Sequence, residues 1–460
     1  MSFNQCLKIM KIRKVRWANH PILGNLELDF VNPSTNKPYS TIVLAGENGT
    51  GKTTILETLN TFLSIGSFEP FQYIEYEVNN KTYRLLPSLI TNSNNTFFTR
   101  HNLEDDSFEN ITTDKNNNQN EILLDSNDPR SYGSFFSRPR ADYKTNKIES
   151  VKTNELDKNK YDSDNDDNFT SLKQLIVDVQ NQDNEQYRDI NDKRNQQSEL
   201  PMSTAEFEPV SKIYRFKSAF NGFFETIKYK KVGNASGEKV VIFEKNGIEI
   251  PLDVLSTGEK QIVFRGAYLL RNINVLKNST IMIDEPELSM HPLWQKKILQ
   301  YYKNLFTDGN SHQTAQLFFA SHSEAVISEA LKDFDNTKVI VLKRDGNGQV
   351  SANCIGTPAV LPYTMAAEVN YQAFELLSTD YHNALYGYIE AEGWKNNFDS
   401  QYPTVNYNRE RNGVIITQQV TLTEKIRHII HHPENRHNTY TESELKESIE
   451  RMRNYIMTQP

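Results

Sequence analysis

The segment Gly46-Glu-Asn-Gly-Thr-Gly-Lys-Thr53 constrains this chain more than any other. Before it stands Thr41-Ile-Val-Leu-Ala45, a short unbroken apolar run of the kind that forms a strand buried on both faces. After it, Ile55, Leu56, Leu59 and Leu63 recur at helical spacing over 53–63. Strand, glycine-rich turn and helix therefore follow one another, and the turn fits G-x-x-x-x-G-K-[ST] in full. Glycines let the backbone wrap a phosphate with its N–H groups turned inward, and the helix N-terminus adds partial positive charge. The expected nucleotide-binding residues are Gly46, Glu47, Asn48, Gly49, Thr50, Gly51, Lys52, Thr53 and Thr54. Lys52 would meet the β- and γ-phosphates of a bound nucleotide, and the Thr53 hydroxyl would bind Mg²⁺.

Three later segments complete the pattern. Leu255-Ser-Thr-Gly-Glu259 is a Ser–Gly turn that opens an amphipathic helix; alone it is an ordinary helix cap. Thr280-Ile-Met-Ile-Asp284-Glu285 is an apolar strand ending in two carboxylates, and buried paired acids need a cation or a catalytic reason. Asp284 is the second candidate Mg²⁺ ligand, and Glu285 the candidate that orients or deprotonates the attacking water. Leu317-Phe-Phe-Ala-Ser-His322 is a further apolar strand with a histidine at its tip, placed to contact the γ-phosphate.

This order of motifs is similar to the ABC-type ATPase head. Asn48 and the run Asp284-Glu-Pro-Glu-Leu-Ser-Met-His-Pro292 resemble its SMC/RecF/OLD branch. The resemblance implies an α/β P-loop ATPase head, a mixed sheet plus helices. It also implies that Ser256, Gly258 and Glu259 of one subunit close over ATP held by another, with Pro286 to His291 at the seam. Catalysis is then carried by Lys52, Glu285 and His322. Each motif occurs once, so two complete sites require at least a homodimer. Gln72 matches the family's Q-loop glutamine by position alone.

Composition sets the remaining bounds. Apolar residues make up 37% of 460 positions, and Asn, Asp and Gln crowd the stretch from about 101 to 200. The expected organisation is an N-terminal lobe over 1–90, a polar and partly disordered insertion over 91–204, a second lobe over 205–350 and a helical region over 351–460. No run reaches the roughly 18–20 apolar residues of a membrane span. Two cysteines, Cys6 and Cys354, make no disulfide framework, which fits a reducing cytoplasm. A net charge of −8 gives no global attraction to nucleic acid.

The last hundred residues read as helices over 368–377, 382–390, 422–431 and 442–457, the last opened by a Thr441/Glu444 capping box. His428, His431, His432 and His437 cluster without a nearby cysteine or paired acid, as a polar helix end does. Arg427 and His432 have the R-x₄-H form of HEPN ribonucleases, and Glu390 resembles the first acid of a Toprim nuclease, but no D-x-D follows. Head, insertion and tail together resemble the PtuA family, the ATPase subunits of bacterial Septu anti-phage systems and related retron modules. That resemblance implies a separate HNH nuclease partner, with nucleic acid reached through the complex. A DNA-repair ATPase of the SMC/RecF kind is the alternative, and a self-contained OLD or HEPN nuclease a third.

Overall fold

Strands buried on both faces cannot lie at a wet surface, and the three apolar runs fix where the centre of the sheet must be. In a computed structural model, the described residues are 10–88, 97–112, 119–138, 161–163, 172–235, 238–271, 278–308, 312–355, 360–363, 365–411 and 414–459. The chain divides into two units, Met1–Cys354 and Ile355–Pro460. Every residue of the strands Thr41–Ala45, Thr280–Asp284 and Gln316–Ser321 is buried. They lie side by side in a seven-stranded sheet ordered Tyr161–Ser163, Ser134–Ser137, Thr280–Asp284, Gln316–Ser321, Thr41–Ala45, Thr337–Arg344, Val350–Ile355. The first six of these run parallel. In register, Asp284 faces Ala320 and Ser321 faces Ala45. The carboxyl ends of three strands are thereby brought to one edge, where open α/β sheets bind ligands.

A second sheet has six antiparallel strands, ordered Glu27–Asp29, Lys11–Trp17, Phe71–Val78, Lys81–Pro87, Phe98–Asn102, Phe108–Ile111. The helix Lys52–Leu63 buries Ile55, Leu56, Leu59, Phe62 and Leu63 in a core shared by both sheets, with Trp17, Phe71 and Phe98 from one and Met282 and Phe318 from the other. Phe62 alone meets the rings of Phe68, Phe71 and Phe98 at 5.5–6.0 Å. A buried side chain of this size contributes about 1.5–3 kcal/mol. Gln316 joins the sheets directly: its Oε1 accepts from the Ile12 N–H at 2.7 Å and its Nε2 donates to the carbonyls of Ile12 and Tyr39 at 3.0 Å.

The 91–204 stretch, expected as a polar insertion, contributes to this architecture. Phe98–Asn102 and Phe108–Ile111 extend the antiparallel sheet, and Ser134–Ser137 pairs with the acid-pair strand, its Phe135 and Phe136 buried. Leu172–Gln196 is a long helix. Much of the stretch's Asn, Asp and Gln lies within this helix. Of the two most polar runs, 113–118, 155–160 and 164–168 lie outside the described residues, and so does Cys6.

Three antiparallel strands, Ile227–Ala235, Glu238–Lys245 and Ile248–Pro251, precede the Leu255–Glu259 segment. Asn246 at φ 52° and Gly247 at φ 81° make the tight turn between the last two, the left-handed pair that matches strand twist.

The unit Ile355–Pro460 holds the expected helices as Ala366–Phe374, Thr379–Ala391, Leu422–His431 and Glu442–Met457, with a short Lys395–Asp399. Leu445, Ile449, Met452 and Ile456 are buried against Tyr381, Leu385, Ile389, Leu422 and Ile426, and the Thr441/Glu444 capping box forms. The unit also carries an antiparallel hairpin, Thr404–Arg411 with Val414–Thr421, beside the helices the sequence pattern predicts. Among the described residues, no helix is long and apolar enough to cross a membrane.

Candidate functional site

The 46–53 turn needs its glycines for two separate reasons. Gly46, Gly49 and Gly51 have φ of 134°, 81° and 92°, where a side chain is strained. A Cβ would also lie 2.3 Å from the Leu342 carbonyl oxygen at Gly46 and 2.5 Å from Leu23 Cδ2 at Gly51. Thr50 is buried and its hydroxyl donates to the Glu47 carbonyl at 2.8 Å, while Glu47 and Asn48 face solvent. Lys52 opens the helix. Its Nζ is buried and donates to the carbonyls of Gly46 and Glu47 at 2.7 and 2.8 Å. Burial holds its pKa below the ordinary lysine value, against the opposing pull of Asp284, Glu285, Glu287 and Glu47. Thr54, half-buried, offers its carbonyl to the Thr58 hydroxyl.

Across the sheet edge, the Thr53 hydroxyl donates to Asp284 Oδ2 at 2.7 Å, joining residues 231 positions apart. Asp284 is 2% exposed. Burial, reinforced by the neighbouring Glu285 charge, pushes its carboxyl up to about 6; the Thr53 hydrogen bond and Lys52 oppose this. A hydroxyl and a buried carboxylate form a hard oxygen pair suited to Mg²⁺, whose charge would relieve that desolvation. The cradle, the lysine and this pair thus fit a Mg²⁺-nucleotide.

Glu285 has left its strand. Its N–H still completes the ladder to the Ala320 carbonyl at 2.9 Å, but its φ is 44°, left-handed for a non-glycine residue. His322 Nδ1 lies 3.6 Å from Glu285 Oε1 and 3.8 Å from Glu287 Oε1. Glu287 is 3% exposed; Oε1 accepts from the Ser321 hydroxyl at 2.7 Å and the His322 N–H at 3.1 Å. Its Oε2 has no hydrogen-bond partner among the described residues. His291 caps the helix Pro292–Leu305 through Nδ1, accepting from the Leu293 N–H. Gln72 is exposed on the strand Phe71–Val78.

The second motif opens the helix Thr257–Arg271. Ser256 and Glu259 cap it reciprocally: Ser256 N–H donates to Glu259 Oε2 at 2.7 Å, and Glu259 N–H reaches Ser256 Oγ at 3.4 Å. Lys245 binds the other Glu259 oxygen at 2.8 Å. Gly258 permits a close approach, since a Cβ there would stand 2.8 Å from the Ser289 carbonyl oxygen. Among the described residues, no hydrogen bond or ion pair of Ser256 or Glu259 within the chain reaches the 46–53 turn. The structure therefore gathers Lys52, Thr53, Asp284, Glu285 and His322, while Ser256 and Glu259 are engaged in the cap of their own helix.

Sequence reasoning passed over Arg265, whose guanidinium is buried and donates to the carbonyls of Asp284, Glu285 and Arg138. Its signal was a lone cation inside the apolar run Ile262-Val-Phe-Arg-Gly266. In the C-terminal unit, Arg427 pairs with Glu390 at 2.9 Å and stacks on Tyr386, while His432 pairs with Glu434 and His437 with Glu410. Among the described residues, no group of three or more His, Cys, Asp or Glu side chains is placed to hold a metal ion. Arg138 pairs with Glu57 at 2.7 Å; Arg140 lies outside the described residues.

Comparison with known proteins adds three findings. Residues 42–328, more than half the chain, match the family described as "AAA domain, putative AbiEii toxin, Type IV TA system". A 93-residue stretch is 31% identical to the "Retron Vc95 probable ATPase" of Vibrio cholerae serotype O1 biovar El Tor. That match spans 18% of this chain and only 17% of the relative. Among solved structures, an Smc head domain from Pyrococcus furiosus, bound to the C-terminal domain of ScpA, aligns at 12% identity and a TM-score of 0.38, covering 76% of this chain and 97% of its own. The SMC head domain of Thermotoga maritima aligns at 12% identity and 0.36, covering 75% and 100%.

Proposed function

The chain belongs to this AAA-domain family and is an ATPase, and we propose that it works as a nucleotide-gated homodimer controlling a separate nuclease. The observation that carries the ATPase mechanism is the meeting of Thr53, Asp284, Glu285 and His322 beside a buried Lys52. In this reading, the N–H groups of the 46–53 turn and Lys52 bind the triphosphate of ATP. Lys52 exchanges its two carbonyl partners for the β- and γ-phosphates. Thr53 and Asp284 hold Mg²⁺, which supplies charge neutralisation at the phosphates when bound. Glu285 orients the attacking water and accepts its proton, and His322 sits where it can read the γ-phosphate.

Ser256, Gly258 and Glu259 serve the site of a second copy. Two features support this: each motif occurs once, and Ser256 and Glu259 cap their own helix with no hydrogen bond to the 46–53 turn among the described residues. The same reading assigns residues 351–460 to a partner-binding region and places the protein with the PtuA-type defence ATPases. The short likeness to a retron ATPase supports that placement. The partner is then a small HNH nuclease, and nucleic acid is met through the complex.

The test mixes two inactive variants. Ser256→Arg obstructs the seam and Lys52→Ala removes the phosphate contact; each alone should be inactive. A heterodimer of the two keeps one intact composite site and should recover turnover. Absence of any recovery breaks the shared-site reading. Co-purification with the product of the neighbouring gene, read by native mass measurement, tests the nuclease partner; an ATPase that purifies alone and clamps DNA in an ATP-dependent way favours the repair-type alternative.

A further inference from the structure

We infer that Arg265 is the positioning residue for Glu285, acting through the backbone of the turn rather than on substrate. The inference rests on the reading of Glu285 as the base that orients water. A non-glycine residue held at φ 44° carries on the order of 1–3 kcal/mol of strain and persists only where its surroundings fix it. Two anchors fix this one. On the amino side, the Glu285 N–H is held by the sheet through the Ala320 carbonyl. On the carboxyl side, the Glu285 carbonyl accepts from Arg265 Nη1 at 3.2 Å and from the Leu288 N–H at 3.2 Å.

The same guanidinium reaches further. Nη2 donates to the Asp284 carbonyl at 3.3 Å and to the Arg138 carbonyl at 3.1 Å. Arg265 therefore grips two successive carbonyls of the acid pair and a third at the end of the adjoining strand Ser134–Ser137. It stands on the helix that the 256–259 motif opens, two turns along. That helix belongs to the half assigned to the neighbouring subunit's site. One side chain thus ties the segment that closes over one nucleotide to the acid that acts on another. A planar fork of donors suits this task; an ammonium, a compact point donor, cannot span three carbonyls.

The test is steady-state ATP turnover of full-length Arg265→Met and Arg265→Lys, with a thermal melt to establish folding. Arg265→Met should lower kcat about 10- to 100-fold, because a misplaced base loses attack geometry, while KM stays within about threefold. Arg265→Lys should recover part of that loss and remain below native kcat. Should Arg265→Met fail to fold, Arg265→Lys decides alone. Native kcat in Arg265→Lys, or KM changing in step with kcat, overturns the inference. Glu285→Gln measured alongside separates the two levels: native turnover there breaks the assignment of the base itself, whereas its loss with native Arg265→Lys breaks only the positioning role.

Discussion

Two polar interiors of this chain are put together differently. At the carboxyl edge of the parallel sheet, Asp284 is buried, its carboxylate accepts from the Thr53 hydroxyl, and its carboxyl is pushed up to about 6. Glu285 beside it is held left-handed, and Glu287 is buried with one oxygen unmatched among the described residues. In the unit Ile355–Pro460, the equally buried Glu368 accepts from Val360 N–H, Gln372 Nε2 and the Tyr381 hydroxyl through one oxygen, with Arg453 at 3.6 Å. His382, fully buried, shares a chain with Ser448 and Thr423 at 3.0 and 2.9 Å, while its Nδ1 has no hydrogen-bond partner among the described residues. The difference teaches that burial alone does not mark a working group. Both interiors hold an unmatched polar atom; what sets the sheet edge apart is several acids gathered about one buried lysine, an arrangement suited to a charged ligand.

The contrast can be broken at either end. The largest effect is expected from Lys52→Ala, which removes the cation opposite two phosphates: ATP affinity should fall about 100-fold or more in a titration with fluorescent ATP, with the fold intact. Next is Glu285→Gln, which should retain ATP, lower kcat about 10²- to 10³-fold and accumulate an ATP-bound dimer by light scattering. In the other interior the same kind of truncation should act on stability alone. Glu368→Ala removes the acceptor of the Val360 N–H, the Gln372 amide and the Tyr381 hydroxyl, leaving Arg453 its bond to the Tyr381 oxygen, and should cost about 1–3 kcal/mol in urea unfolding with ATP affinity unchanged.

A comparable effect comes from pH. Burial pushes His382 down to about 4 from an ordinary 6.5. The folded unit therefore binds fewer protons than the unfolded one between those values. The stability this supplies, about 3 kcal/mol, is complete above pH 6.5 and is lost as pH falls toward 4. Hydrogen exchange on the helix Thr379–Ala391, corrected for intrinsic rates, should show that loss, and a flat profile contradicts it. The smallest change is expected at the histidine cluster. His432→Ala removes an exposed pair with Glu434 and should shift stability by less than about 0.5 kcal/mol. If it abolished a nuclease activity instead, the C-terminal unit would be catalytic and the contrast reversed.

How much of this was legible depended on how local each signal is. The 46–53 turn was readable because its chemistry is contiguous: strand, glycines, lysine and helix are neighbours in the chain, and the helix Lys52–Leu63 begins within a residue of where its apolar spacing put it. The C-terminal helices were equally plain in their periodicity. The hairpin Thr404–Arg411 with Val414–Thr421 was missed although an Asn412-Gly413 dipeptide precedes a β-branched run, a turn signal that went unread among polar residues. Ser134–Ser137 stands out in sequence only as part of an ordered island within the polar stretch, because four residues carry too short a pattern to separate a sheet strand from a loop.

By itself, the sequence determined the glycine-rich turn, the acid pair and the helix-opening Ser256 motif, since each is a short string whose residue types follow from local needs: glycines for positive φ, carboxylates at a strand end, a hydroxyl for a helix cap. Tertiary structure alone decided that Thr53 reaches Asp284, that Glu287 holds Ser321 and His322, and that Arg265 grips the backbone of Glu285. Those links run between residues 20 to 231 positions apart, and only the parallel register of three buried strands fixes the distance across which each must act.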